Sequence, residues 1–278
     1  MFYIEKNDKP NFIEKKLGIL KITGNTIMIP ITENTKEKQI EKIATKTNKI
    51  IEKHSNSRKV VLSKEIQKEQ TYINYLNTNG IEISDGKWLF EILLTDTIEY
   101  IIKKKQLQKV NISILINDLT DTEYENIKIL ARKYKTINIV TNHIEKFKKI
   151  EKNLEQEGII ITITNNKKKS LKKSQIIINI DFPKELINKY TINDEAILIN
   201  IKEKIKINKK RFNGLNINDY EIDYRNDKKE DKALSKKYYL KDLYESQLYK
   251  KQRIKEIKEK IAIDKVIIKK LILNNGEL

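Results

Sequence analysis

An α/β fold built on a mostly parallel sheet flanked by helices is predicted by three observations. Strand and helix patterns alternate almost without interruption between residues 112 and 201. Several of the strands are near-continuous isoleucine, which marks burial on both faces. The breaks between patterns fall on Gly, Asn and Asp, residues that accept the backbone conformations of helix ends and tight turns. With 278 residues about two domains are expected, and 38% apolar content is enough for real cores. No period of about 20 to 50 residues recurs, which excludes a solenoid.

The elements follow in order. In residues 1–105, an N-terminal α/β module, KKLGILKITGNTIMIPI places two short apolar runs around Gly24 and Asn25, a pair suited to a left-handed hairpin turn. Ile40, Ile43, Ile50 and Ile51 lie near helical spacing, and Val60 to Leu62 is a short strand. A second helix carries Tyr72, Ile73, Tyr75 and Leu76 and stops at Asn79 and Gly80. The strand IEIS, the turn Asp85-Gly86 and a long apolar helix through KWLFEILLTDTIEYIIKKK follow, with Trp88, Phe90, Leu93 and Leu94 as core. In residues 106–203, strands are expected at 112–116, 137–141, 159–164, 175–180 and 196–201, with helices at 123–134 and 144–156 and a Lys-rich crossover, NNKKKSLKKS. The third part, residues 204–278, is entered through a polar connection that runs over 202–232, KEKIKINKKRFNGLNINDYEIDYRNDKKEDK. From about Leu234 a C-terminal helical segment is expected, with Leu240, Leu243, Leu248, Ile254, Ile257, Ile261, Ile268 and Leu271 as an interrupted stripe. Two uses suit that stripe: docking on the first domain, or a helix-mediated oligomer, although the heptad breaks at Asp264.

Composition narrows the function classes. There is no Cys, so disulfides and thiolate metal sites are excluded, and two isolated histidines, His54 and His143, make no metal cluster. No metal is expected. A reducing, cytoplasmic setting fits, and neither a leader pattern nor a run of about 18 apolar residues is visible, so no membrane span is expected. The formal charge is +18, but of the 57 basic residues only five are Arg. Abundant Lys, Ile and Asn together are what an AT-rich genome encodes. Phosphate readers commonly use Arg forks, so the excess reads as a solvated surface, and a nucleic-acid partner is the minority reading. There is no Walker loop, nucleophile elbow or metal-ligand spacing.

The order of elements from Ile83 to Ile201 resembles the two-domain oxidoreductases of the shikimate dehydrogenase type, over about 120 of the 278 residues. That family's N-T-D-G-x-G-F turn is similar to ISDGKWLF, which keeps Asp85, Gly86 and Phe90. Its second strand, ending V-V-N-R, is similar to IVTN, ending at Asn142. Its A-D-I-V-I-N-A-T-P strand is similar to SQIIINIDFP, with Asn179 and Pro183 in matching positions, and A-L-V-I-D-I is similar to AILINI. The resemblance implies a Rossmann-like sheet of the NAD(P)-binding kind. It also implies a catalytic Lys and Asp that hold a substrate hydroxyl. Asp85 falls on the Asp position and is open to two readings, catalytic remnant or turn residue. Lys64, after the strand VVLS, is the weaker match, lacking the family's Pro and standing 21 residues before Asp85.

The departures bear on cofactor use. Where the family has glycines, this chain has NDLTDTEYEN, with Asn117, Asp118, Asp121 and Glu123 at the turn and first helical residues. Glycines permit the tight turn and let helix N-terminal amides touch the pyrophosphate. Side chains obstruct that approach and carboxylates repel a dianion. Asp118, Thr120 and Asp121 suit helix capping equally well, and His143 suits a capping or surface role. Ligands of open α/β sheets bind at the carboxyl ends of the strands, a rule that gathers Asn117, Asp118, Asn142, Asn165 and Asp181 on one polar rim. The sequence therefore predicts a degenerate Rossmann-like protein without bound cofactor, acting as a non-catalytic binding or interaction protein for an unknown small molecule or protein. An NAD- or NADP-dependent oxidoreductase is the second reading and a Lys-rich nucleic-acid binder the third.

Overall fold

The computed structural model describes residues 1–108, 110–134, 136–207, 212–225, 234–274 and 276–278. The chain forms two compact units, Met1–Gly86 with residues 226–251, and Lys87–Arg225 with Gln252–Leu278.

The first unit opens with β1 (Phe2–Lys6), α1 (Phe12–Leu17), β2 (Lys21–Thr23) and β3 (Thr26–Ile29). It continues through α2 (Glu37–His54), β4 (Lys59–Leu62), α3 (Gln70–Thr78) and β5 (Glu82–Ser84). Its sheet runs β2-β3-β1-β4-β5, parallel throughout except at the β2/β3 hairpin. The hairpin turns on Gly24 at φ +56, as Gly24-Asn25 predicts. Strand β1 was not expected. It is the centre of the sheet, and its period-2 alternation sends Ile4 into the core under α2 and α3 while Tyr3 joins the opposite face. The predicted apolar stripe of α2 holds, with Ile40, Ile43 and Ile51 buried, and Thr47 hydrogen-bonds Tyr72 of α3 at 2.9 Å. Val61 points to the other face, where Tyr238 and Leu243 cover it. Tyr238 donates to Glu5 at 2.8 Å, and the Lys237 ammonium lies 2.6 Å from the same carboxylate.

The second unit begins with α4 (Lys87–Ile92) and α5 (Leu94–Lys105), so the single long helix expected there is broken at Leu93. Phe90, Leu93 and Leu94 are buried as predicted, and Trp88 is half-buried. Then come β6 (Ile112–Leu115), α6 (Asp121–Lys133), β7 (Ile137–Val140), α7 (Ile144–Gln156), β8 (Thr162–Thr164), β9 (Ile176–Asn179), α8 (Lys184–Ile187), β10 (Ile197–Asn200) and β11 (Leu215–Asp223). Helix α9 (Leu240–Ser246) lies in the first unit, and α10 (Ile254–Ile263), β12 (Ile267–Leu273) and β13 (Gly276–Glu277) complete the second. Its sheet runs β13-β12-β11-β10-β9-β6-β7-β8. The six strands from β8 to β11 are parallel, in the spatial order third, second, first, fourth, fifth, sixth. That order is the doubly wound, Rossmann-like arrangement, with the strand order reversing between β6 and β9. Every residue of β6, β9 and β10 is buried, as their isoleucine runs require.

Three expectations are corrected. The polar connection over 202–232 contains strand β11, whose inward positions Ile217, Tyr220 and Ile222 are buried; residues 208–211 and 226–232 of that connection lie outside the described residues. The helical stripe is two short helices, and Ile268 and Leu271 belong to strand β12, antiparallel to β11. Spacing of three residues suits a helix and, across a register shift between Glu221 and Ile222, a strand as well. The strand at 159–164 shrinks to three residues, because Ile160 is exposed.

Candidate functional site

The carboxyl ends of β6, β7, β9 and β10 carry a connected polar cluster. Beyond β6, the backbone N–H of Asn117 donates to both oxygens of Asp181, at 2.8 and 3.0 Å, and the N–H of Asp118 donates to Asp181 Oδ2 at 2.9 Å. Asp181 lies just past β9, so its carboxylate bridges the point where strand order reverses. The Asn117 side chain accepts from the N–H of Asn142, past β7, at 3.0 Å. The Asp118 carboxylate turns outward to Lys146 of α7 at 2.7 Å. Four of the five rim residues are thus joined by direct hydrogen bonds, while Asn165 stands exposed beyond β8.

Local sequence explains the placement. Thr120 is the N-cap of α6 in a capping box: its hydroxyl accepts from Glu123 N–H at 3.3 Å, and Glu123 Oε2 accepts from Thr120 N–H at 2.6 Å. Asp118 does not cap the helix and pairs with Lys146 instead, while Asp121 is the first helical residue, an acid placed in the first turn where the helix dipole favours it. His143 occupies the N-cap position of α7 without a side-chain capping bond. The other oxygen of Glu123, a buried side chain, pairs with Lys202 past β10 at 2.9 Å. Asn179 clamps the turn that presents Asp181, accepting from Phe182 N–H at 2.9 Å and donating to Phe182 O at 3.1 Å. It also donates to Asn200, which donates to Asn216 at 2.7 Å, so a buried amide ladder crosses β9, β10 and β11. Lys146 and Lys202 were not foreseen. Among so many lysines, only their positions in the first turn of α7 and two residues after β10 distinguish them.

The electrostatics divide the two carboxylates. The hydrogen bond and charge of Lys146 hold Asp118 below the usual aspartate pKa. Burial raises that of Asp181, with the amides of Asp118 and Asn117 and the charge of Lys202 acting against the rise. Under this rim a small cavity is lined by Ile114, Ile116, Glu123, Asn126 and Ile180 among others.

In the first unit, Lys64 follows β4 and Asp85 follows β5, two strands paired in parallel. The Lys64 ammonium donates to the carbonyls of Ser235 at 2.9 Å and Lys236 at 3.2 Å, and lies 5.3 Å over the Tyr239 ring. These contacts tie the segment before α9 to the end of β4. Asp85 precedes Gly86, whose φ of +76 suits the predicted turn. A side chain at Gly86 would meet Lys241 at 2.8 Å and Asp242 at 3.2 Å. Asp242 is a buried carboxyl that the sequence did not single out. Gln67 donates to its Oδ2 at 2.6 Å, and Oδ1 has no hydrogen-bond partner. Burial pushes its pKa up to about 8. Among the described residues no group of acidic or histidine side chains could hold a metal, and no helix is long and apolar enough to cross a membrane.

No protein-family model and no curated protein matches the chain. Among solved structures, a shikimate 5-dehydrogenase-like protein is 12% identical with a TM-score of 0.33, covering 95% of this chain and 97% of its own. Aspartate transcarbamoylase from Trypanosoma cruzi in complex with carbamoyl aspartate and phosphate is 10% identical with a TM-score of 0.31, covering 74% and 73%. Ornithine carbamoyltransferase from Pyrococcus furiosus is 11% identical with a TM-score of 0.30, covering 76% and 74%. Likenesses of this size carry no argument about activity, and the Rossmann-like α/β architecture stands on the strand order of the second unit itself.

Proposed function

We propose that this chain is a non-catalytic binding or interaction protein whose Rossmann-like unit takes no dinucleotide. One observation carries the reading: the Asp181 carboxylate sits on the Asn117 and Asp118 amides, the donors that follow the first strand at the switch point. In a dinucleotide site those donors face the pyrophosphate. Here an internal anion already satisfies them, and Glu123, at the first turn of α6, adds a second negative charge nearby. A phosphate would have to displace a carboxylate that accepts three hydrogen bonds, and the nearby Lys202 ammonium is already paired with Glu123. The ligand is a small molecule or a protein that uses the outward-facing Asn142, Asn165 and Asp118 on the rim. Lys64 serves as a tether for the 235–236 backbone rather than as half of a hydroxyl-binding dyad with Asp85.

Calorimetric titration with NAD, NADH, NADP and NADPH tests the reading. Each is expected to bind more weakly than about 1 mM, which corresponds to about 4 kcal/mol of binding free energy. Micromolar binding of any of them to the wild-type chain would restore the oxidoreductase reading.

A further inference from the structure

Helix α1 in the first unit is built inside out. Its buried residue is a carboxylate, Glu14, at 7% exposure, while Phe12 is 76%, Ile13 60% and Leu17 57% exposed. Surface helices of folded domains ordinarily turn their apolar stripe inward. A helix of six residues is far too short to persist by itself, and the chain spends several polar contacts on holding it. Asn11 and Glu14 form a capping box at its start, Asn7 donates to Glu14 at 3.1 Å, and Lys21 pairs with Glu14 at 2.8 Å. At its end the Lys46 ammonium donates to the carbonyls of Leu17 and Gly18 at 2.6 and 3.0 Å. The helix is therefore anchored by its charged side and presents its apolar one. Ile19 and Ile22, the latter on edge strand β2, extend the exposed apolar surface.

The charges around this face select its partner. Lys15 and Lys16 are exposed between Phe12 and Leu17, and the Lys16 ammonium lies 5.9 Å over the Phe12 ring. Of the two carboxylates between residues 8 and 22, Glu14 is buried and paired, and Asp8 is next to Lys9 in sequence. A second copy of this face would bring like charges together. The interleaving of exposed apolar and cationic side chains on one short element suits a fluid anionic interface, where Phe and Leu enter the acyl boundary and Lys reaches the headgroups. We propose that α1 and the neighbouring edge of β2 form a peripheral docking surface for an anionic lipid bilayer.

Vesicle flotation of the full chain tests this, using phosphatidylcholine vesicles with and without about 30% phosphatidylglycerol. The wild-type protein is expected to float with the anionic vesicles and to bind the neutral ones about tenfold less. The triple variant Phe12→Ser, Ile13→Ser, Leu17→Ser should lose about tenfold in binding to anionic vesicles with an unchanged thermal midpoint, since these side chains are exposed. Lys15→Glu with Lys16→Glu is an independent variant that leaves the apolar groups in place, and it should lose binding to a similar extent. The proposal is overturned if the wild-type chain fails to float with anionic vesicles, or if it floats equally with neutral ones. Flotation of either variant at the wild-type level overturns it too. A concentration-dependent dimer that the triple variant abolishes would assign the face to a second copy instead.

Discussion

Asp242 is a fully buried acid of the first unit, with one oxygen on Gln67 and the other without a partner. In water its pKa would be 3.8, and in the fold burial lifts it to about 8. Between those values the folded chain holds a proton that the unfolded chain has released. Stability from this residue is therefore present at low pH and is lost as pH rises towards 8. One proton corresponds to roughly 1.36 kcal/mol per pH unit. Asn reproduces the shape and hydrogen-bonding capacity of a protonated Asp, so Asp242→Asn should remove this slope. Urea denaturation of both proteins at a series of pH values should show the variant gaining on the wild type as pH rises, and parallel curves would contradict the assignment. Nothing in the sequence marks Asp242, because the tertiary fold alone removes its water. Asp181 shows the converse case, since its place at a strand end made it a rim candidate directly from the pattern SQIIINIDFP.

At the scale of elements, polar side chains do structural work inside the second sheet. Asn200 donates its amide to Asn216 and Asn218 and accepts from Asn179, so three neighbouring side chains depend on it. Asn200→Ala would leave these groups without their partner in a buried setting, and a loss of about 2–3 kcal/mol is expected in chemical denaturation. A loss below about 0.5 kcal/mol would mean that the ladder contributes little. The ladder also explains why β11 reads as a connection: LNINDYEID carries Asn216 and Asn218 where a strand packed inside a sheet would ordinarily be apolar, and their hydrogen bonds to Asn200 and to the Ile205 backbone satisfy them there. Helix α6, by contrast, could be read locally, since the Thr120 and Glu123 spacing is a capping box in sequence and in structure.

For the whole molecule, the formal charge of +18 sets the long-range behaviour. Many lysines are already engaged in ion pairs, among them Lys128 with Glu125, Lys204 with Asp219 and Lys270 with Glu221 and Glu277. Such surface pairs are worth little individually, and the remaining excess is screened over about 8 Å at physiological salt. Binding to duplex DNA is therefore expected to be weak, indifferent to sequence and largely gone between about 50 and 200 mM salt. A gel-shift series across that range checks this. Sequence-selective binding at the upper end would promote the nucleic-acid reading over the one proposed.

What the amino-acid sequence determined by itself is whatever depends on neighbours along the chain. The isoleucine runs of β6, β9 and β10, the apolar spacing of α2, the Gly24 hairpin and the Thr120 cap of α6 all follow from local periodicity and turn chemistry, and together they imply a mostly parallel sheet flanked by helices. The rule that ligands of such sheets bind at the carboxyl ends of the strands gathered Asn117, Asp118, Asn142, Asn165 and Asp181 on one rim. Only the tertiary structure decided that Asp181 fills the amides of the β6 turn, that Lys64 is held by the 235–236 backbone, and that Asp242 lies buried without a partner for one oxygen. It alone made strands of Leu215–Asp223 and Ile267–Leu273, since the first pairs with β10 on one side and with the second on the other. Hydrogen bonds and burial between residues far apart in sequence leave no local pattern, so a donor's partner and an acid's loss of water come into being only when the chain folds.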